Sequence, residues 1–211
     1  MKTILCYGDS NTWGYDPLTA GRYPRGVRWT SRLQAALPGD CILEEGLGGR
    51  TTVFEDEARF GRRGLTYLPV ALKTHDPIDL VLFMLGTNDC KSRFHAHAAE
   101  IAEGMEALAE TVLYPGLLHL RKAPEVLIVA PPRIDVETLS KGGMRFMFGE
   151  DSVENARLLP RFYRELAQRL NVHYFDASKV TGPGADGVHL SPEGHAALAD
   201  ALAAFLPEIL E

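Results

Sequence analysis

Thr3-Ile4-Leu5-Cys6-Tyr7 runs straight into Gly8-Asp9-Ser10-Asn11-Thr12. A short, mostly apolar run closed by Gly, Asp and Asn reads as a fully buried strand that ends in a tight turn. In open α/β sheets, ligands sit outside the carboxyl ends of the strands. Ser10 therefore falls just past a strand end, where a parallel sheet places chemistry. Gly8 lets the backbone turn sharply, and a helix further on can lend its amide dipoles. Ser10 is the candidate nucleophile.

The rest of the chain repeats the theme. Val27–Leu37 has near-helical apolar spacing and stops at Pro38-Gly39. Cys41-Ile42-Leu43 opens a second strand, which leads into Glu44–Thr52 with three glycines in four positions, at 46, 48 and 49. Arg62–His75 reads as a helix. Ile78–Leu85, apolar except for Asp79, is the plainest strand and ends in Gly86-Thr87-Asn88-Asp89. His97–Leu113 carries Ile101, Met105, Leu108 and Val112 on one helical face. Val126–Ala130 is a fourth strand, Asp135–Asp151 is irregular, Val153–Leu170 is helical, Val172–Phe175 is a fifth strand and Pro192–Leu210 is a last helix.

Strands alternating with helices five times predict one domain over 1–211, a three-layer α/β/α sandwich on a five-stranded parallel sheet of flavodoxin-like type. Three strands end in polar, glycine-containing turns (8–12, 46–52 and 86–89), and Gly184–His189 forms a fourth such turn before the last helix. All four are expected at one edge of the sheet.

Acyl transfer through serine needs a base for the hydroxyl proton, a carboxylate to orient that base, and donors for the oxyanion. His189 is the candidate base and Asp186, three residues earlier on the same turn, the candidate carboxylate. The backbone amides of Ser10 and Gly49 and the side-chain amide of Asn88 are the candidate oxyanion donors. Each piece alone is an ordinary turn or cap. Their order and their placement at strand ends give them weight.

Composition bounds the alternatives. The 211 residues carry a formal net charge of −6, which argues against a broad electrostatic grip on nucleic acid or anionic membrane. Arg22, Arg25 and Arg28, and the Arg62-Arg63 pair, read as solvated faces. No apolar stretch reaches the ~18 residues a membrane span needs. Cys6, Cys41 and Cys90 form no CxxC pair and would leave one thiol unpaired in any disulfide scheme. With an N-terminus that enters a strand at once, this predicts a cytoplasmic protein. The histidines show no metal-ligand spacing, so no metal and no cofactor is expected.

Four blocks together resemble the GDSL (SGNH) hydrolase family: Gly8-Asp9-Ser10, Gly46-Leu47-Gly48-Gly49-Arg50-Thr51, Gly86-Thr87-Asn88-Asp89 and Asp186-Gly187-Val188-His189. The resemblance implies Ser10 as nucleophile, Gly49 and Asn88 with the Ser10 amide as oxyanion donors, and Asp186 and His189 as the other catalytic pair. Gly8–Gly14, Val27-Arg28-Trp29-Thr30, Glu45-Gly46-Leu47 with Arg50-Thr51-Thr52, and Met84–Asp89 look like the arylesterase/acyltransferase (perhydrolase-like) branch. Glu45 and Asn11 depart from wider family patterns and fit that branch. The branch implies a small-molecule ester substrate, acyl transfer to alcohols or peroxide as a side activity, and homo-oligomers whose contacts narrow the site entrance.

Asp9, Asn11, Trp13 and Phe54 are candidate substrate contacts. Met144-Arg145-Phe146-Met147-Phe148 is an apolar run that either lines the entrance or, the preferred reading, meets another subunit. Cys90 reads as a buried structural thiol. Two rivals stand beside a simple aryl or alkyl esterase. One is a carbohydrate acetylesterase with the same mechanism. The other is a flavodoxin-like protein cradling a phosphate or flavin at Gly8–Thr12, which leaves Asn88, Asp186 and His189 without a task.

Overall fold

The computed structural model describes residues 1–114, 116, 118–141 and 143–210, with the backbone alone at 140 and 141. From β1 (Thr3–Gly8) the chain enters a single helical turn, α1 (Ser10–Trp13), and a small hairpin of β2 (Tyr15–Asp16) and β3 (Gly21–Arg22). Next come α2 (Trp29–Ala36), β4 (Cys41–Gly46), α3 (Gly64–His75), β5 (Leu80–Met84), α4 (Ala98–Leu113) and β6 (Glu125–Ala130). They are followed by α5 (Val136–Lys141), a 3-10 turn (Gly143–Phe146), α6 (Glu150–Leu170), β7 (His173–Asp176) and α7 (Pro192–Ile209).

The five long strands form one sheet in the order β4-β1-β5-β6-β7. Every pairing in it is parallel. The expected doubly wound five-stranded sheet is the one observed. β1 has β4 on one side and β5 on the other, so the chain reverses its direction across the sheet there. Such a switch point opens a crevice outside the strand ends. Ser10 follows β1 and Asn88 follows β5, which puts both at that crevice.

The side-chain period of two sorts the sheet into two cores. Leu5, Tyr7, Val81, Phe83 and Ile128 face α3, α4 and α6. Ile4, Cys6, Leu82, Met84 and Val129 face α2 and α7. Because both faces are covered, β5 is buried at every position and reads as a continuous apolar run.

Four local features differ from the expectation. The helix after β1 starts at Ser10 itself rather than further on. Asp9 caps it by accepting the Asn11 N–H at 2.9 Å, and Gly14, at φ 84°, ends it within four residues. So short a helix shows no periodicity. The stretch 15–26, whose Gly, Pro and Tyr content suggests a loop, holds the β2–β3 hairpin. The stretch 135–151, read as irregular, holds α5, the 3-10 turn and the start of α6; residue 142 of it lies outside the described residues. Nor is Arg28 a solvated charge: it is buried and ion-paired with Glu44, which also takes Arg22 and Thr30.

His195, on α7, is wholly buried, and its Nδ1 accepts the Trp29 N–H of α2 at 3.3 Å. Burial, reinforced by the charge of Arg28, pushes its pKa down to about 4. Between that value and the ordinary histidine range the unfolded chain takes a proton that the folded chain refuses. This contribution to stability is therefore intact above about pH 6.5 and lost as pH falls toward 4, roughly 3 kcal/mol in all. Urea unfolding near pH 7 and near pH 4 should show a smaller acid loss in His195→Asn, whose amide oxygen can still take the Trp29 N–H. An identical loss in both proteins would contradict this.

Candidate active site

The four polar turns do meet at one edge of the sheet, and polar side chains lock them to one another. The second turn is tied to the first by the Leu47 N–H on the Gly8 carbonyl at 3.1 Å and by Arg50 Nη1 on the same oxygen at 2.9 Å. Arg50 is buried, and its guanidinium lies 4.1 Å from the centre of the Tyr7 ring. The third turn is tied to the second by Asp89, whose Oδ1 accepts the Thr52 N–H at 2.8 Å and the Thr52 hydroxyl at 2.5 Å. Burial pushes the Asp89 pKa up to about 6, with the Thr52 bonds acting against it. The fourth turn is held to the first by Asn11. Its Nδ2 donates to the Val188 carbonyl at 3.3 Å, and its Oδ1 accepts the Leu190 N–H at 2.9 Å.

Glycine is required where these turns close in. A Cβ at Gly46 would stand 2.2 Å from the Trp13 backbone nitrogen, so β4 can end against α1 only without a side chain. Gly49 has φ 84°, a conformation L side chains rarely adopt.

This scaffold brings together two groups 179 positions apart. His189 Nε2 lies 2.9 Å from Ser10 Oγ, and His189 Nδ1 lies 2.6 Å from Asp186 Oδ2. The other carboxylate oxygen, Oδ1, accepts the N–H groups of Val188 at 3.0 Å and His189 at 2.8 Å. Burial works to raise the Asp186 pKa, but the His189 bond and these backbone donors bring it below its ordinary value. An ionised Asp186 accepts from Nδ1–H, which leaves Nε2 as an acceptor facing the Ser10 hydroxyl.

Ser10, Gly49, Asn88 and His189 all line one cavity of about 400 Å³. Among the described residues the N–H groups of Ser10 and Gly49 donate to no protein acceptor. Asn88 is differently placed. Its Nδ2 donates to Asp9 Oδ2 at 3.2 Å and to the Arg50 carbonyl at 3.1 Å. It can serve an oxyanion by turning a proton away from the longer of the two.

The candidate substrate contacts divide. Trp13 lines the cavity, with Arg22 stacked over its ring at 4.9 Å. Phe54 does not line it: its ring packs on Phe94 at 5.7 Å and against the core, which corrects the expectation for that residue. Asp9 and Asn11 are buried away from the lining and committed to the bonds just described, so they position the site rather than meet a substrate. Met144, Met147 and Phe148 line the cavity, whereas Phe146 is 81% exposed. The entrance reading of that run holds for those three. Cys90 is buried in the core, and burial raises its thiol pKa.

Several lining residues escaped the sequence reading. Tyr15 lies with its ring centre 4.4 Å from that of His189. It stands in a loop-like stretch without a motif. Arg59, Arg62 and Lys91 also reach the cavity. Among the described residues no three His, Cys, Asp or Glu side chains gather as metal ligands would.

Comparison with known proteins places this geometry. The model of the GDSL-like lipase/acylhydrolase family matches residues 6–197. An aryl esterase from M. smegmatis is similar at 38% identity and a TM-score of 0.93, with both chains covered in full. A carbohydrate acetylesterase from Sinorhizobium meliloti is similar at 40% identity and a TM-score of 0.92, over 99% of this chain and all of that one. A comparison with curated proteins returns no match.

Asn11→Ala should lower stability by about 1–3 kcal/mol, since it leaves two buried partners unsatisfied. It should also lower kcat by freeing the His189 turn. Chemical unfolding and turnover on one preparation test this, and a variant with unchanged kcat would show that Asn11 does not hold the turn.

Proposed function

The chain belongs to the GDSL-like lipase/acylhydrolase family and is an ester-hydrolysing serine hydrolase; on that premise we propose that Ser10, His189 and Asp186 carry the reaction. The observation that supports this most is the 2.9 Å approach of His189 Nε2 to Ser10 Oγ, with Asp186 on the far nitrogen.

Ser10 Oγ attacks the ester carbonyl carbon while its proton passes to His189 Nε2. Asp186 keeps the ring oriented and stabilises the imidazolium without taking the proton itself. The carbonyl electrons move onto oxygen, where the N–H groups of Ser10 and Gly49 and the Asn88 amide can donate. Loss of one such donor costs about 3–4 kcal/mol of transition-state stabilisation in serine hydrolases. Collapse of the tetrahedral species breaks the bond to the alcohol oxygen, which leaves with the His189 proton. Water then gives up a proton to His189 and attacks the acyl-serine, releasing the acid and restoring Ser10. An alcohol in place of water gives acyl transfer.

The substrate is a small acyl ester of an aryl or alkyl alcohol. Supporting this are a cavity of about 400 Å³ and an apolar wall of Trp13, Leu47, Met144, Met147 and Phe148. A sugar acetate reacts by the same steps. A phosphate cradle at Gly8–Thr12 would leave the Ser10–His189 contact without a purpose.

Ser10→Ala should lose hydrolysis of phenyl acetate by a factor on the order of 10³ or more while circular dichroism stays unchanged. Asp186→Asn should lose nearly as much through kcat, because the ring then lacks its anionic partner. Turnover retained in folded Ser10→Ala would refute the assignment.

A further inference from the structure

The cavity carries a charge asymmetry that hydrolysis of a neutral ester does not call for. Its lining includes Arg59, Arg62 and Lys91 and, among the described residues, no Asp or Glu, in a chain whose net charge is −6. Lys91 is the most telling of the three. It lies three residues past Asn88, its N–H bonded to the Asn88 carbonyl at 3.1 Å, and it is only 4% exposed. Yet its ammonium has no hydrogen bond and no ion pair with any described residue. Two carboxylates lie nearby and neither bonds it, although Asp56 Oδ2 is itself without a partner among the described residues. Asp56 is paired with Arg93 at 3.0 Å, and Asp9 accepts from Asn11 and Asn88.

The two arginines converge on the same wall from the loop between β4 and α3. A methyl group on Gly49 would stand 3.4 Å from Arg62 Nε and 3.6 Å from Arg59 Nη1. Arg62 Nε is itself buried and without a partner among the described residues. Two guanidinium groups thus flank Gly49, a candidate oxyanion donor, and Lys91 lines the same cavity.

We infer that the esters this site takes carry an anionic group, a carboxylate or a phosphate, a few atoms from the scissile carbonyl and bound by Lys91 with Arg59 and Arg62. The inference rests on the serine-esterase reading and names its substrate class. A lysine side chain only 4% exposed and without a bonding partner among the described residues is held at a desolvation cost, and an incoming anion offsets that cost while gaining charge-assisted hydrogen bonds. Burial, and then the charge of Arg59, bring the Lys91 pKa down to about 8, so the group is cationic at neutral pH and held against a penalty. The apolar residues of the same lining take the uncharged remainder of the ester. If the three cations merely strengthened the oxyanion hole, neutral and anionic esters would gain alike.

Paired substrates separate these cases. The pairs are 3-acetoxybenzoate with its methyl ester, 3-acetoxyphenyl phosphate with phenyl acetate, and monoethyl succinate with diethyl succinate. They place a carboxylate or phosphate on the alcohol side, or a carboxylate on the acyl side. At least one anionic member should exceed its neutral partner in kcat/KM by roughly tenfold or more, mainly through KM. Lys91→Gln should close that gap, and Lys91→Arg should keep most of it. Neutral members equal or better in all three pairs would overturn the inference, as would a gap that survives Lys91→Gln. If Lys91→Gln does not fold, competitive inhibition of the wild type by 3-hydroxybenzoate but not by its methyl ester supports the inference, and equal inhibition overturns it. A failure of the underlying reading looks different: no ester of either charge would then be turned over in a Ser10-dependent way.

Discussion

Two hydrogen bonds from one side chain decide whether this molecule has a site at all. Asn11 sits one residue past the nucleophile, yet both ends of its amide are spent on the loop that carries His189. A serine hydroxyl and an imidazole brought from opposite ends of a chain have no intrinsic reason to stay within bonding distance. The Asn11 clamp supplies one, because slippage of the last loop would leave a buried amide and two backbone groups unpaired. The Asp186–His189 pair lies within the clamped loop, so the imidazole arrives already oriented.

The clamp works because the sheet delivers its ends in register. β1 lies between β4 and β5, and the turns leaving those three strands supply Ser10, Gly49 and Asn88 respectively. Arg50 and Asp89 then stitch neighbouring turns together from buried positions, trading desolvation for hydrogen bonds to backbone that would otherwise go unpaired. Among the described residues the N–H groups of Ser10 and Gly49, the two candidate oxyanion donors of the backbone, have no protein acceptor.

Much of this was legible in the residues themselves. Leu80–Met84 could be read as a strand because a sheet covered on both faces demands an unbroken apolar run. The second turn stood out by its glycines: a Cβ at Gly46 would meet the Trp13 backbone, and Gly49 has a positive φ that side chains rarely adopt. What stayed hidden depended on three-dimensional neighbours. Nothing about Tyr15 in a Gly/Pro-rich stretch announces a ring against His189. Phe54 looked like a pocket residue by hydrophobicity alone, and Phe94 claims it instead. Arg62, beside Arg63, carried the pattern of a solvated pair, and only the folded loop turns it over Gly49. Asn88 had the right chemistry, but that its amide is already shared between Asp9 and Arg50 is a property of geometry, not of sequence.

The central claim is that one hydroxyl, activated by the imidazole beside it, forms the covalent bond to substrate. Mass spectrometry of the intact and digested protein after treatment with diethyl 4-nitrophenyl phosphate tests it directly. That ester phosphorylates an activated serine and expels nitrophenolate, but it resists the water that would release the enzyme. The account predicts one diethylphosphoryl group per chain, on Ser10, with labelling much slower in His189→Ala. A label on another residue, or equal labelling without the imidazole, would contradict it.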